Sequence, residues 1–573
     1  MNTIKRRRQS LVSYLTLTAA FVLSCASPGA AQQKTTKTDA AVGATVNAGH
    51  DAKADAAASD PVIQAMREEL ERSKEHVKME NVSAPYYIEY RLSDLEEYTA
   101  EAAFGALRQN QHVHARSVRV VVRVGNYKQD SYFDRGIGVV DLAPLENDNI
   151  ALRRQLWAAT DRAYKAASEA LASKKALLSH YSAEQPFDDF AKAPALQSFE
   201  PLAKLEFSPE VWEKALVKST DLFRSDPKIQ SLSAYANFRS VNEYFVNTEG
   251  TITRQGYAVY LVQLSGETQA ADGMKLGRSP FYMTAKASEL PDSAKLESDT
   301  AKMLDTLKEL REAPLAEEDY RGPVLFSNDA ASDVFYGKVG ANVLGIRPKP
   351  GESARTTGEF SSNYKGRVLP TFLSVVDDPT MKSFHGKSLT GNYEVDDEGV
   401  RAKVVPVIKD GMLVDYLLGR MPIRDFPDSN GHGRAAPGQA PSPSIGILMV
   451  QPKNPLSSSE MKAKLIGMCK EENKPYGYYV ETLSGYDPRL LYRVYVNDGH
   501  EELVRGAVFN ELDTRTLRNN LVAAGDDPLV SNREGAIPST VIAPSILFDE
   551  LEIKRTDKKD AKLPEYPPPS LTR

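Results

Sequence analysis

From Gly322 onward, glycine and proline turns punctuate short runs of β-branched and aromatic residues, and this spacing leaves room for strands but not for long helices. The runs are Gly322–Phe326, Thr371–Val376, Val400–Ile408, Met412–Leu418, Ser444–Val450, Tyr478–Leu483, Leu490–Val496 and Ala543–Ile553. One helix interrupts them at Glu460–Lys470. Its start is marked by Ser457-x-x-Glu460, in which each side chain can satisfy the other residue's backbone N–H. Leu465, Met468 and Cys469 give that helix a buried edge, with Cys469 as a small core thiol.

The preceding part reads differently. Pro61 follows Asp60 at a helix start, and Val62, Ile63, Met66 and Leu70 recur at helical spacing, so a helix is expected to about Met79. Strands are expected at Tyr86–Leu92, Thr99–Arg108 and Ser117–Val124, helices at Asn149–Leu178 and Pro209–Phe223, and strands again from Ile229 to about Ala285. Asn247-Thr248-Glu249-Gly250 is a turn in which Gly250 takes positive φ and Asn247 caps the bend. A helix over Leu296–Arg311, closed by Ala313-Pro314, forms the connection. The fold class is therefore α+β, with an N-terminal α+β domain over 61–312 and a β-rich domain with few helices over 313–555.

Lys5 to Arg8 precede the uncharged 14-residue run Leu11–Ser24, too short for a membrane span and suited to a signal peptide. Cleavage near Ala31 is the main reading, and the lipobox-like Val22–Cys25 makes a lipid anchor at Cys25 the alternative. The protein is thus expected to be exported, periplasmic or associated with the envelope. Residues 32–60 read as a disordered linker, and 556–573, charged and then proline-rich, as a tail. Lys and Arg number 71 against 77 Asp and Glu, a net charge of -6, which argues against nucleic acid as a partner. Two cysteines cannot build a disulfide framework or a multi-thiolate zinc site.

Several blocks occur together in one order. They are Tyr320–Leu325 with Asp329-Ala330-Ala331, Val375–Pro379, Asp396–Val400, Asp410–Leu413 with Tyr416–Arg420, and Asn430–Arg434, with Asn247–Gly250 earlier. This ordered set resembles the TldD/PmbA, or modulator-of-gyrase, family of metallopeptidase-related proteins. The resemblance implies a two-domain architecture with an N-terminal α/β sandwich-like domain. It also implies a zinc site in the active members, made by His-Glu-x-x-x-His on the helix after the Gly-Pro-Val-Leu strand and by a cysteine in a late segment. Here Tyr336, Gly337 and Ala341 stand where His, Glu and His are expected, and Ser531–Pro538 holds no cysteine. Gly and Ala have no donor and a phenol is a poor zinc ligand, so the chain resembles the metal-free PmbA (TldE) subset.

That subset implies no cofactor in this chain, zinc only in a catalytic TldD-like partner, and pairing with that partner or with itself. Unfolded peptide is the implied substrate. Tyr336, Lys338 and Arg434 are the peptide-groove candidates, from their places at or near the family's site positions. Alternatives from the residues are an active enzyme with a relocated metal site, using His385 and His432 with Asp396, Asp397 or Glu398, and an envelope scaffold. The blander reading has those carboxylates capping turns in water and Arg434 solvated in a flexible loop. His112 and His114 share a strand face but fit an exposed loop boundary, and His76 with Glu80 could share a helix face. Asp377 and Asp378 are adjacent and point to opposite strand faces, so they cannot share a proton as a catalytic pair. Gly-x-Ser-x-Gly, P-loop and Gly-x-Gly-x-x-Gly motifs are absent.

Overall fold

A computed structural model describes residues 60–181, 187–317, 319–484, 487–510, 512–556 and 569. The expected signal peptide, Cys25, the linker up to residue 59 and nearly all of the tail lie outside these residues. Among the described residues no helix is long and apolar enough to cross a membrane.

The first sheet has eight strands: β1 (Pro85–Ala103), β2 (Ala106–Val124), β3 (Val139–Leu142), β4 (Gln197–Phe199), β5 (Ser231–Asn247), β6 (Ile252–Gln269), β7 (Lys275–Arg278) and β8 (Phe281–Thr284). Their order is β3-β2-β1-β5-β6-β4, with β7 and β8 both paired to β6. Where three strands are expected before residue 125, the structure has a single long hairpin, with Phe104 (φ 50°) and Gly105 (φ 72°) forming its tip. The apolar run through the tip hides this turn, because Phe104 is not a residue that usually signals positive φ.

Even-numbered residues of β1 and β5 face four helices: α1 (Pro61–His76), α2 (Asn149–Leu178), α3 (Pro209–Thr220) and α4 (Ser293–Glu312). Ile88, Tyr90, Leu92, Tyr244 and Val246 pack with α1 and α2, while Tyr98, Ala100, Ala234, Ala236 and Phe238 pack with α3 and α4. Asp60 caps α1 by accepting from the Val62 and Ile63 N–H groups at 3.0 and 3.2 Å. α1 ends at His76, so Glu80 lies beyond the helix and the two share no helical face.

The strands after Tyr320 divide into two larger sheets. One joins β9 (Asp319–Phe326) to β18 (Tyr476–Ser484), β19 (Asp487–Tyr495), β20 (Glu501–Val504), β21 (Ala507–Phe509), β22 (Leu521–Ala524) and β25 (Ile546–Arg555). The other, in the order β14-β13-β10-β17-β24-β23, is built from β10 (Leu373–Asp377), β13 (Val405–Lys409), β14 (Met412–Leu413), β17 (Ile447–Pro452), β23 (Leu529–Arg533) and β24 (Ser539–Ala543). Two small ribbons complete the set, β11 (Ser383–Phe384) with β12 (Lys387–Ser388), and β15 (Gly433–Arg434) with β16 (Ser442–Pro443).

Helix α5 (Asn328–Lys338) packs against both larger sheets through Ala330, Ala331, Val334 and Phe335, all fully buried. Each large apolar side chain so buried contributes about 1.5–3 kcal/mol. The capping box at Ser457 and Glu460 forms as expected and starts α6 (Ser458–Glu471). Cys469 is fully buried beside Leu465, and burial raises its thiol to about 11. A short helix that the β-rich reading does not anticipate, α7 (Thr514–Asn520), is capped by Asp513.

Candidate functional site

The odd-numbered face of β1, β2 and β5 is polar yet buried, and it carries Arg91, Ser93, Arg119, Arg123 and Glu243. The segment 395–439 covers part of it. Gln255 donates to the Val395 carbonyl at 2.8 Å, and a Cβ on Gly399 (φ +78°) would meet Phe245 at 2.7 Å, so this turn needs glycine. Asp396, Asp397 and Glu398 are therefore 2, 6 and 9 % exposed, not facing water as expected. The expectation missed that a second layer of backbone closes over the turn.

Arg434 is also buried, at 5 % exposure. Its Nε donates to Asp397 at 3.0 Å, its guanidinium lies 3.9 Å from the Tyr393 ring, and Gly433–Arg434 is strand β15 instead of a flexible loop. Burial lifts the Glu243 carboxyl to about 8, Asp397 adds to the rise, and Arg91 and Arg434 oppose it. Burial, with neighbouring Glu398, drives the Asp396 carboxyl well up as well.

His432 is fully buried, with Nδ1 3.0 Å from the Asn430 side chain and Nε2 3.2 Å from Asp377. His385 stands at the β11–β12 turn (φ 47°) and stacks on Phe384. Among the described residues no three His, Cys, Asp or Glu side chains gather as a metal-ligand group, so the two histidines and the acidic turn do not assemble the relocated site. Asp377 is turned inward to accept from the Gly446 and Ile447 N–H groups, while Asp378 caps Thr380 outside. His112 and His114 lie in the middle of β2 instead of at a loop boundary, exposed, 3.0 Å from Glu96 and 2.7 Å from Asp94.

A cleft of about 970 Å³ lies elsewhere, at the start of α5. Its walls are the β7–β8 segment (Arg278, Phe281), Asp329 and Asp333 of α5, the β11–β12 turn with Lys387, the β18–β19 hairpin with Thr482 and Arg489, and Val530–Arg533 of β23. Asn532 ties these walls together. Its amide donates to the Met283 and Ser388 carbonyls at 2.9 and 3.0 Å, and its oxygen accepts from the Thr390 N–H and the Thr540 hydroxyl. Glu289 accepts from the Ser388 N–H and the Thr284 hydroxyl, which hold its carboxyl below the usual range against the opposing effect of burial.

Arg533 pairs with Asp333 and lies 5.3 Å from the Tyr336 ring. Tyr336, 41 % exposed, thus stands beside the cleft through Arg533, and Lys338 closes the same helix. Asp329 opens to solvent but is hemmed in by the walls. That confinement, and then Asp333, push its carboxyl up. The zinc implied by the family resemblance does not fit these residues. Gly337 and Ala341 offer no donor, and the late segment, now seen as β23 and its turn, holds no cysteine, its one carboxylate being the exposed Glu534. Arg278 and Arg489 as cleft-lining charges carry no motif in the sequence. Only the folding of β7 against a hairpin two hundred residues away brings them together.

The class of fold is an α+β arrangement in which an eight-stranded, helix-covered sheet accompanies two further sheets. Residues 319–555 match the model of the PmbA/TldA metallopeptidase C-terminal domain, and this part of the chain belongs to the TldD/PmbA family. Solved structures share the fold. One is described as a modulator of a DNA gyrase from Thermotoga maritima, at 14 % identity with a TM-score of 0.58, covering 86 % of this chain and 99 % of that one. TldE from Thermococcus kodakarensis matches at 12 % identity and TM-score 0.57, covering 85 % and 99 %. A further modulator of DNA gyrase, from Bacteroides thetaiotaomicron, matches at 12 % and 0.56, covering 86 % and 98 %. No curated protein matches the chain.

Proposed function

We propose that this chain is an exported, non-catalytic member of the TldD/PmbA family that binds no zinc itself and helps a TldD-like metallopeptidase to bind and process unfolded peptides. The observation that carries the reading is the pairing of a helix that lacks the family's zinc ligands with an open cleft. Tyr336, Gly337 and Ala341 occupy the family's ligand positions, yet the same helix walls a cleft of about 970 Å³. β23, the outermost strand of its sheet, contributes Val530–Arg533 to that cleft, and an edge strand can hold an extended peptide by backbone hydrogen bonds without metal. Export rests on Lys5–Arg8 followed by the apolar run Leu11–Ser24.

The test is co-expression of the chain with a TldD-like chain that carries His-Glu-x-x-x-His, followed by size-exclusion chromatography with light scattering. A stable one-to-one complex is expected. Separate elution of the two chains at micromolar concentration would overturn the partnership.

A further inference from the structure

The buried arginines of this protein mostly meet a carboxylate. Arg123 meets Asp130 at 2.6 Å, Arg311 meets Asp226 at 2.5 Å, Arg420 meets Glu249 at 2.8 Å and Arg434 meets Asp397 at 3.0 Å. Arg278, in the wall of the cleft, has no ion pair among the described residues. Among the described residues its Nη1 donates to the Thr482 hydroxyl at 2.8 Å, its Nε is buried without a partner, and its Nη2 makes no hydrogen bond. Burial pulls its guanidinium below the usual value, with Glu481 and Asp329 offsetting only part of that effect. A half-buried cation with an unused donor is costly unless something else accepts from it. Arg91 and Arg119 also lack a carboxylate, but they are sealed at 3 and 4 % exposure under covering backbone, whereas Arg278 lines open space.

We infer that the cleft takes the free α-carboxylate at the C-terminal end of an extended peptide, with Arg278 as the specificity-determining contact. The inference rests on the peptide-binding reading above and names which part of the peptide this site selects. Thr482 holds one arm of the guanidinium and so fixes the plane of the fork, which suits a planar two-oxygen group. Arg489 and Lys387, both exposed and without ion pairs among the described residues, add positive potential at the walls. Asp329 and Asp333 stand in the same cleft, and their charge disfavours a phosphate dianion more than a singly charged carboxylate. Phe281, 43 % exposed, and Val530 supply apolar surface for the side chain beside that carboxylate.

The experiment measures binding of a fluorescein-labelled unstructured decapeptide to the full chain by anisotropy, once as the free acid and once as the C-terminal amide. Amidation is expected to weaken binding at least tenfold, the size of a lost charge-assisted bond. R278Q should weaken the acid to the level of the amide and leave the amide unchanged. D329N removes a like charge facing the carboxylate and should tighten the acid two- to fivefold without moving the amide. R278K, which keeps the charge but loses the fork, should fall between wild type and R278Q. Equal binding of acid and amide by the wild type would overturn the inference while leaving peptide binding standing, and this comparison decides even where R278Q fails to fold. Binding of neither form would overturn the peptide-binding reading and the inference with it.

Discussion

Replacing Glu243 by glutamine should make the protein more stable at alkaline pH than it is by nature. Glu243 is 8 % exposed on the polar face of the first sheet, and its Oε2 accepts from Ser93 at 2.8 Å. Burial and the neighbouring Asp397 raise its carboxyl from 4.5 to about 8. Between those two values the folded chain holds a proton that the unfolded chain has lost, so folding stability falls as pH rises through this window and levels off above it. The slope from this one group approaches roughly 1 kcal/mol per pH unit, or several kcal/mol in all. Glutamine keeps the shape and an acceptor for Ser93 but does not titrate. The stability of E243Q minus that of wild type should therefore be smallest near pH 5, climb to about pH 8 and then stay flat. Urea unfolding at half-unit steps from pH 5 to 9 measures this difference, and taking the difference removes the slopes of acids that do not interact with Glu243. A difference that does not change with pH would refute the reasoning.

Two further outcomes follow from the packing. Arg434→Met strips the buried Asp397 of its partner and should cost about 3–5 kcal/mol in urea unfolding, with D397N in the same chain restoring part of the loss. Alanine at two glycines should act with opposite signs in thermal unfolding. At Gly391 the new Cβ would sit 2.1 Å from the Gly446 carbonyl oxygen and should destabilise by about 1–3 kcal/mol, whereas at Gly467 of α6 it meets nothing within 4 Å and should stabilise by up to about 1 kcal/mol.

The regular elements were legible where local chemistry sets them. The helices over Pro61–His76, Asn149–Leu178 and Ser293–Glu312 follow from apolar spacing, with acidic caps at Asp60, Asp148 and Asp292. The Asn247 turn closes as its residues dictate, with Gly250 at φ 95° and the Asn247 side chain accepting from Glu249 and Thr251. Burial of charge was not legible. Asp396, Asp397, Glu398 and Arg434 look like a solvated turn and loop because their partners, such as Arg420 for Glu398 and Tyr393 for Arg434, come from other segments of the fold. The cleft was half legible. The family resemblance pointed to α5 and to the segment 531–538, but not to Arg278, whose neighbour Thr482 lies on another sheet.

The most direct test of the account is hydrolysis of an unfolded peptide by the purified mature chain alone, with and without a chelator. The account predicts no cleavage above background in either condition, with activity appearing only when the TldD-like partner is added. Cleavage by the chain alone that the chelator abolishes would contradict it.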